Sequence, residues 1–107
     1  MYYRFLICKN NEKSGLFHPK TKWNVQKENG LYDVVRKNFA NLTYIKTYKG
    51  KTISYFTETG LKNFQSGIDE LTEFYKQYGI SVICMQYDKL TNIVEQDDNQ
   101  VWCSTKA

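Results

Sequence analysis

Long apolar runs are missing from this sequence, since no unbroken stretch of apolar residues is longer than four, as in Phe5 to Cys8. A helix that spans a bilayer needs about 20 mostly apolar residues, so no membrane segment is expected. Arg4 also interrupts the apolar core that a secretory signal peptide would need near the N-terminus. These features predict a cytoplasmic protein.

Cysteine and histidine are scarce. The three cysteines, Cys8, Cys84 and Cys103, are widely spaced and odd in number, whereas disulfide frameworks use even sets and zinc modules use close pairs. Reduced, buried thiols are expected instead. The single histidine, His18, has no cysteine at a spacing typical of a catalytic pair. A zinc site made from His18 and the three cysteines is chemically allowed but follows no motif. The sequence therefore predicts no metal, no cofactor and no catalytic residue.

Acidic residues are rare in the first half of the chain. Residues 1–55 carry eleven Lys/Arg and three Asp/Glu, whereas residues 56–107 carry four and eight, and the formal net charge is +4. This asymmetry predicts a basic surface and a separate acidic one. The abundance of Lys, Asn, Tyr and Ile is typical of AT-rich codons, and it favours a low-GC bacterium or one of its phages or mobile elements as the source.

Periodicity predicts one α+β domain over residues 1–107. Strand patterns occur at 2–8, 44–49, 52–57 and 80–87, and helical spacing occurs at 31–42 and 61–78, with Gly79 placed to end the second helix. This order predicts a ferredoxin-like βαββαβ fold, with a mostly antiparallel sheet and two helices on one face. A possible C-terminal hairpin at 93–103 forms a β-extension, and residues 9–29 are expected to be a long basic loop.

Two local alternatives stay open. Asn29-Gly30 is also a strong turn signal, so residues 29–35 could form a hairpin in place of the first helix. Gly67 lies in the middle of the second helical pattern and could divide that helix into two pieces. A short hairpin near Trp23 within the loop is also possible.

Strand alternation predicts a basic, aromatic surface. If the helices cover one face of the sheet, the other face is open unless the C-terminal hairpin covers it. Tyrosine rings and cationic groups then lie together on that face, with two lysines at its edge, and further aromatic and basic residues lie in the long loop. The predicted partner-binding residues are Tyr2, Arg4, Tyr44, Lys46, Tyr48, Tyr55, Lys49 and Lys51 on the sheet, and Phe17, Lys20, Lys22 and Trp23 in the loop.

Three functions are compatible with that surface. The first is a small non-catalytic binding or inhibitor protein that docks on a host protein or nucleoprotein complex. The second is a single-stranded nucleic-acid-binding domain, because rings stack on bases while Lys and Arg neutralise phosphate. The third is a small enzyme whose site is completed by oligomerisation. The alternative explanation for Phe17 and Trp23 is that they pack the loop onto the domain.

Overall fold

The computed structural model describes residues 1–25, 30–42 and 52–105, and this part of the chain forms an α+β fold with six strands and two helices. A 3-10 turn lies between the second strand and the first helix. The elements are β1 Tyr2–Lys9, β2 Glu12–Gly15, the 3-10 turn Thr21–Trp23, α1 Leu31–Phe39, β3 Thr52–Phe56, α2 Glu58–Lys76, β4 Ser81–Tyr87, β5 Ile93–Gln96 and β6 Gln100–Ser104.

Strand pairing corrects the predicted fold order. The strands pair in the order β2-β1-β3-β6-β5, and β4 also pairs with β1. The pairings β1–β2, β1–β3, β3–β6 and β5–β6 are antiparallel. Two strands precede α1 and three follow α2, so the described residues do not form a simple ferredoxin-like βαββαβ arrangement. The strand predicted at 44–49 lies outside the described residues.

The predicted loop at 9–29 contains a strand that the sequence analysis missed. β2 pairs with β1 from Lys9↔Glu12 to Leu6↔Gly15, and the turn between them is Asn10-Asn11. Both asparagines have positive φ angles, 53° and 66°, which are those of a two-residue type I′ turn. Asparagine tolerates this left-handed conformation better than most residues. The hairpin therefore lies at β1–β2 and not near Trp23.

Two compact units divide the chain. We call residues Met1–Arg4, Leu42–Asn63 and Met85–Ala107 the strand unit, and Phe5–Asn41 with Phe64–Cys84 the helical unit. Within the described residues, neither helix is long and apolar enough to cross a membrane.

The helical unit packs α1 on α2 around aromatic rings. The ring of Phe39 on α1 stacks on Phe64 of α2 with 5.9 Å between centroids. Gly67 is buried where the helices meet, because a Cβ there would lie 2.7 Å from the Cβ of Asn38. α2 is therefore one continuous helix, in which Gly67 permits close packing and does not cause a break. The helix is followed by Gly79 at φ 70°, as predicted.

The strand unit has its core on β3 and β6. Phe56, Val101, Trp102 and Cys103 are all at most 6% exposed. Because Val101, Trp102 and Cys103 are consecutive, β6 is covered on both faces. The C-terminal hairpin is confirmed, since β5 pairs with β6 from Ile93↔Cys103 to Gln96↔Val101.

Candidate binding surface

Arg4 and Tyr55 lie on the same face of the strand unit. Tyr3 of β1 pairs with Phe56 of β3 in antiparallel register. Continuing this register by one residue puts Arg4 opposite Tyr55. Tyr2 shares the face because strand side chains alternate. Tyr2, Arg4 and Tyr55 are all half-buried, so the fold brings together the three predicted sheet residues that the structure describes.

Tyr87 and Met85 of β4 extend this face. The rings of Tyr55 and Tyr87 meet edge to face, with centroids 5.3 Å apart and an interplanar angle of 83°. The Tyr87 hydroxyl lies 3.8 Å from the Met85 sulfur, and Met85 is 37% exposed. We call Tyr2, Arg4, Tyr55, Tyr87 and Met85 the Arg4–tyrosine surface.

The electrostatics of this surface centre on Arg4. Burial raises the pKa of the Tyr55 phenol, the nearby Arg4 guanidinium opposes that rise, and Tyr87 adds to it. Tyr55 therefore stays neutral near pH 7 and can donate or accept a hydrogen bond. Among the described residues, no carboxylate lies within ion-pairing distance of Arg4. Arg4 thus lies near Tyr55 and has no acidic partner in the described part of the chain.

The predicted loop residues lie in the helical unit and are occupied by internal contacts. Trp23 is only 4% exposed, so its side chain packs the loop and is not an exposed anchor. The Phe17 ring is half-buried and meets Phe39 edge to face, 5.0 Å between centroids. Lys22 donates to the Glu12 carboxylate, and Lys20 lies 3.9 Å from the same group. Trp23 is thus enclosed by the loop, whereas the side chains of Lys20 and Lys22 stay 39% and 62% exposed.

Five predicted residues fall on the strand predicted at 44–49 and on the turn predicted to follow it, and they lie outside the residues that the structure describes. The five are Tyr44, Lys46, Tyr48, Lys49 and Lys51.

Two of the three thiols are affected by loss of solvation in this fold. Loss of solvation raises the pKa of both Cys84 and Cys103, which lowers the thiolate fraction at neutral pH. Within residues 1–25, 30–42 and 52–105, no three His, Cys, Asp or Glu side chains group as metal ligands would. The side chain of His18 is exposed. The chemistry that the Arg4–tyrosine surface offers is recognition by a cation, rings and phenol hydroxyls.

Sequence reasoning missed Tyr87 and Met85. Their strand was predicted, and alternation alone puts both side chains on one face of β4. What the sequence does not show is that β4 pairs with β1, which requires contact between segments about 80 residues apart along the chain.

Comparison with protein-family models, with curated proteins and with solved structures finds no match to this chain.

Proposed function

We propose that this chain is a small non-catalytic binding protein, of the inhibitor type, that docks its Arg4–tyrosine surface on an acidic patch of a host protein or nucleoprotein complex. The observation that carries the proposal is Arg4, which lies opposite Tyr55 of the Tyr55–Tyr87 ring pair in the strand register and has no carboxylate partner among the described residues. A guanidinium in that position is suited to a partner carboxylate, with which it forms paired, charge-assisted hydrogen bonds.

The residue types support a protein interface. Arg and Tyr are enriched among the few residues that dominate binding energy in protein complexes, and such residues lie in partly enclosed, well-packed positions. Tyr55 and Tyr87 already hold each other edge to face, so binding orders few additional side-chain rotamers. The exposed Met85 beside them adds an adaptable apolar contact.

The same geometry favours a protein over single-stranded nucleic acid. A stacking platform needs ring faces open to successive bases and a groove of cations for the phosphates. Here Tyr55 is half-buried with Tyr87 against it, and two of the predicted loop lysines, Lys20 and Lys22, lie against Glu12. The Tyr55–Tyr87 ring pair and Arg4 therefore fit a compact contact with a protein better than an extended single strand of nucleic acid.

Affinity capture with matched charge variants tests this proposal. A tagged chain is incubated with lysate of a low-GC bacterium, with and without nuclease, and a fluorescent oligothymidine is titrated separately. We expect capture of a defined protein that survives nuclease treatment. Arg4→Glu should weaken binding of that purified protein about 30-fold or more. Lys89→Glu makes the same charge change at an exposed position of the strand unit and should leave binding within about twofold.

Two results would overturn the proposal. Capture that is equal for Arg4→Glu and wild type would remove this surface from the interface. Capture that nuclease abolishes, together with salt-sensitive oligothymidine binding that Arg4→Glu weakens, would identify single-stranded nucleic acid as the ligand instead.

A further inference from the structure

β5 lies at the end of the strand order. In the described part of the chain β5 pairs with β6 alone, so its other backbone edge faces no strand. All four residues, Ile93–Gln96, are exposed. An edge of this kind presents backbone N–H and C=O groups that can pair with an added strand.

Two neighbouring apolar side chains stand exposed on this edge. Ile93 is 46% exposed and Val94 is 37% exposed. The register shifts between Ile93 and Glu95, so Val94 is the extra residue of a β-bulge. Bulges on edge strands limit the pairing of long, flat strands, and this one therefore favours a short added segment whose apolar side chains meet Ile93 and Val94.

The charge around β5 is negative and unneutralised. Asp88, Glu95, Asp97 and Asp98 are all exposed, and none of them forms an ion pair within the described residues. Lys89 is the single cation among residues 85–105. A neighbouring strand with lysine or arginine side chains would gain from this field, whereas an acidic strand would be repelled.

The turn that follows β5 is held in place by hydrogen bonds. The Asp97 carboxylate accepts from the backbone N–H groups of Asn99 and Gln100, both at 2.8 Å. Thr57 donates from its hydroxyl to the Asp98 carbonyl at 2.6 Å and from its backbone N–H to the Asn99 carbonyl at 3.0 Å. The edge is thus ordered before any partner arrives, which reduces the entropy lost on binding.

We infer that the β5 edge binds a short, extended, basic segment of a partner protein, which adds to the sheet as a further strand. Backbone pairing at the edge supplies affinity, and side-chain alternation supplies selectivity: apolar groups meet Ile93 and Val94, and cationic groups face the surrounding carboxylates. This site shares no residue with the Arg4–tyrosine surface and takes a segment of the opposite charge to the partner proposed there.

Titration with two synthetic peptides tests the inference. One is a capped decapeptide of alternating Lys and Val, and the other is its Glu and Val counterpart. Amide chemical shifts of the full chain are followed by NMR. We expect the Lys–Val peptide to shift the amides of β5 and to bind about tenfold or more tightly than the Glu–Val peptide, with an affinity that falls as salt rises.

Two exposed apolar residues of equal exposure provide a matched pair of variants. Ile93→Lys should weaken Lys–Val binding about tenfold, while Tyr32→Lys, also at a residue 46% exposed in wild type, should leave it unchanged. Shifts that avoid β5, equal binding of the two peptides, or equal effects of the two variants would overturn the inference. Because the Lys–Val peptide bears no carboxylate for Arg4, such a failure leaves the proposed function standing.

Discussion

Replacing Gly60 by alanine adds one methyl group where the first turn of α2 meets the turn between β5 and β6. A Cβ at this position would lie 2.0 Å from the carbonyl oxygen of Asn99 and 2.7 Å from its carbonyl carbon. These are backbone atoms, and the Asn99 carbonyl is held by the Thr57 N–H. The methyl group cannot be accommodated by a side-chain rotation, so the turn or the helix has to move.

The expected loss of stability follows from two opposing effects. Overpacking costs about 1–3 kcal/mol, and contact with pinned backbone points to the upper part of this range. Alanine gains at most about 1 kcal/mol over glycine in helix propensity. We therefore expect Gly60→Ala to lower the free energy of unfolding by about 2 kcal/mol, a fall of roughly 10 °C in the melting temperature for a chain of this size.

Urea denaturation of Gly60→Ala, Thr57→Ala and the double variant measures this effect. Thr57→Ala removes the hydroxyl that accepts from the Gly60 N–H and donates to the Asp98 carbonyl, and so loosens the turn. In the Thr57→Ala background, Gly60→Ala should cost less, because the turn can then yield. If Gly60→Ala were as stable as wild type, or if its cost were unchanged in that background, the turn would not be seated on α2 as the structure has it.

Three further predictions concern pKa values and packing. A hydrogen bond from Lys37 holds the pKa of Glu70 below its usual value of 4.5. The Lys37–Glu70 pair therefore stabilises the fold above pH 4.5, and this contribution is lost as the pH falls through the pKa of Glu70 in the folded state. On acidification, the urea midpoint should fall more steeply for wild type than for Glu70→Gln. Arg4→Gln should raise the pKa of Tyr55 further, because the Arg4 guanidinium opposes the effect of burial. If the Tyr55 titration followed by NMR were unchanged in this variant, Arg4 and Tyr55 would not lie close together. Trp23→Ala should lower the free energy of unfolding in urea by about 3–5 kcal/mol, because Trp23 is buried. A loss below about 1 kcal/mol would indicate that the Trp23 side chain is exposed.

Elements set by local pattern could be predicted from the sequence. α2 follows from the spacing of Phe64, Ile68, Leu71 and Tyr75, all of which are buried, and Gly79 marks the turn after it. The C-terminal hairpin follows from two apolar segments around a polar turn. β2 was missed because its residues, Glu12–Gly15, lack strand propensity, and its position depends on pairing with β1 and on the Asn10-Asn11 turn.

The candidate site was predictable only in part, and for the same reason. Alternation along β1 and β3 is a local rule, and with the observed register it puts Tyr2, Arg4 and Tyr55 on one face. Burial of Trp23 and the approach of Tyr87 to Tyr55 both depend on contacts between distant segments. Such contacts leave no periodic signal in a single sequence.

The charges that matter for binding are those that the fold leaves unpaired. In the helical unit Lys22, Lys37 and Lys76 each pair with a glutamate, and a partner would have to replace these exposed ion pairs. In the strand unit Arg4 and the acids around β5 have no such pairs in the described residues. Among the described residues of the first half, Lys22 and Lys37 therefore offer less free positive charge than the sequence alone indicates. The two proposed sites, the surface around Arg4 and the acidic β5 edge, carry opposite charge, so we expect them to select different partners.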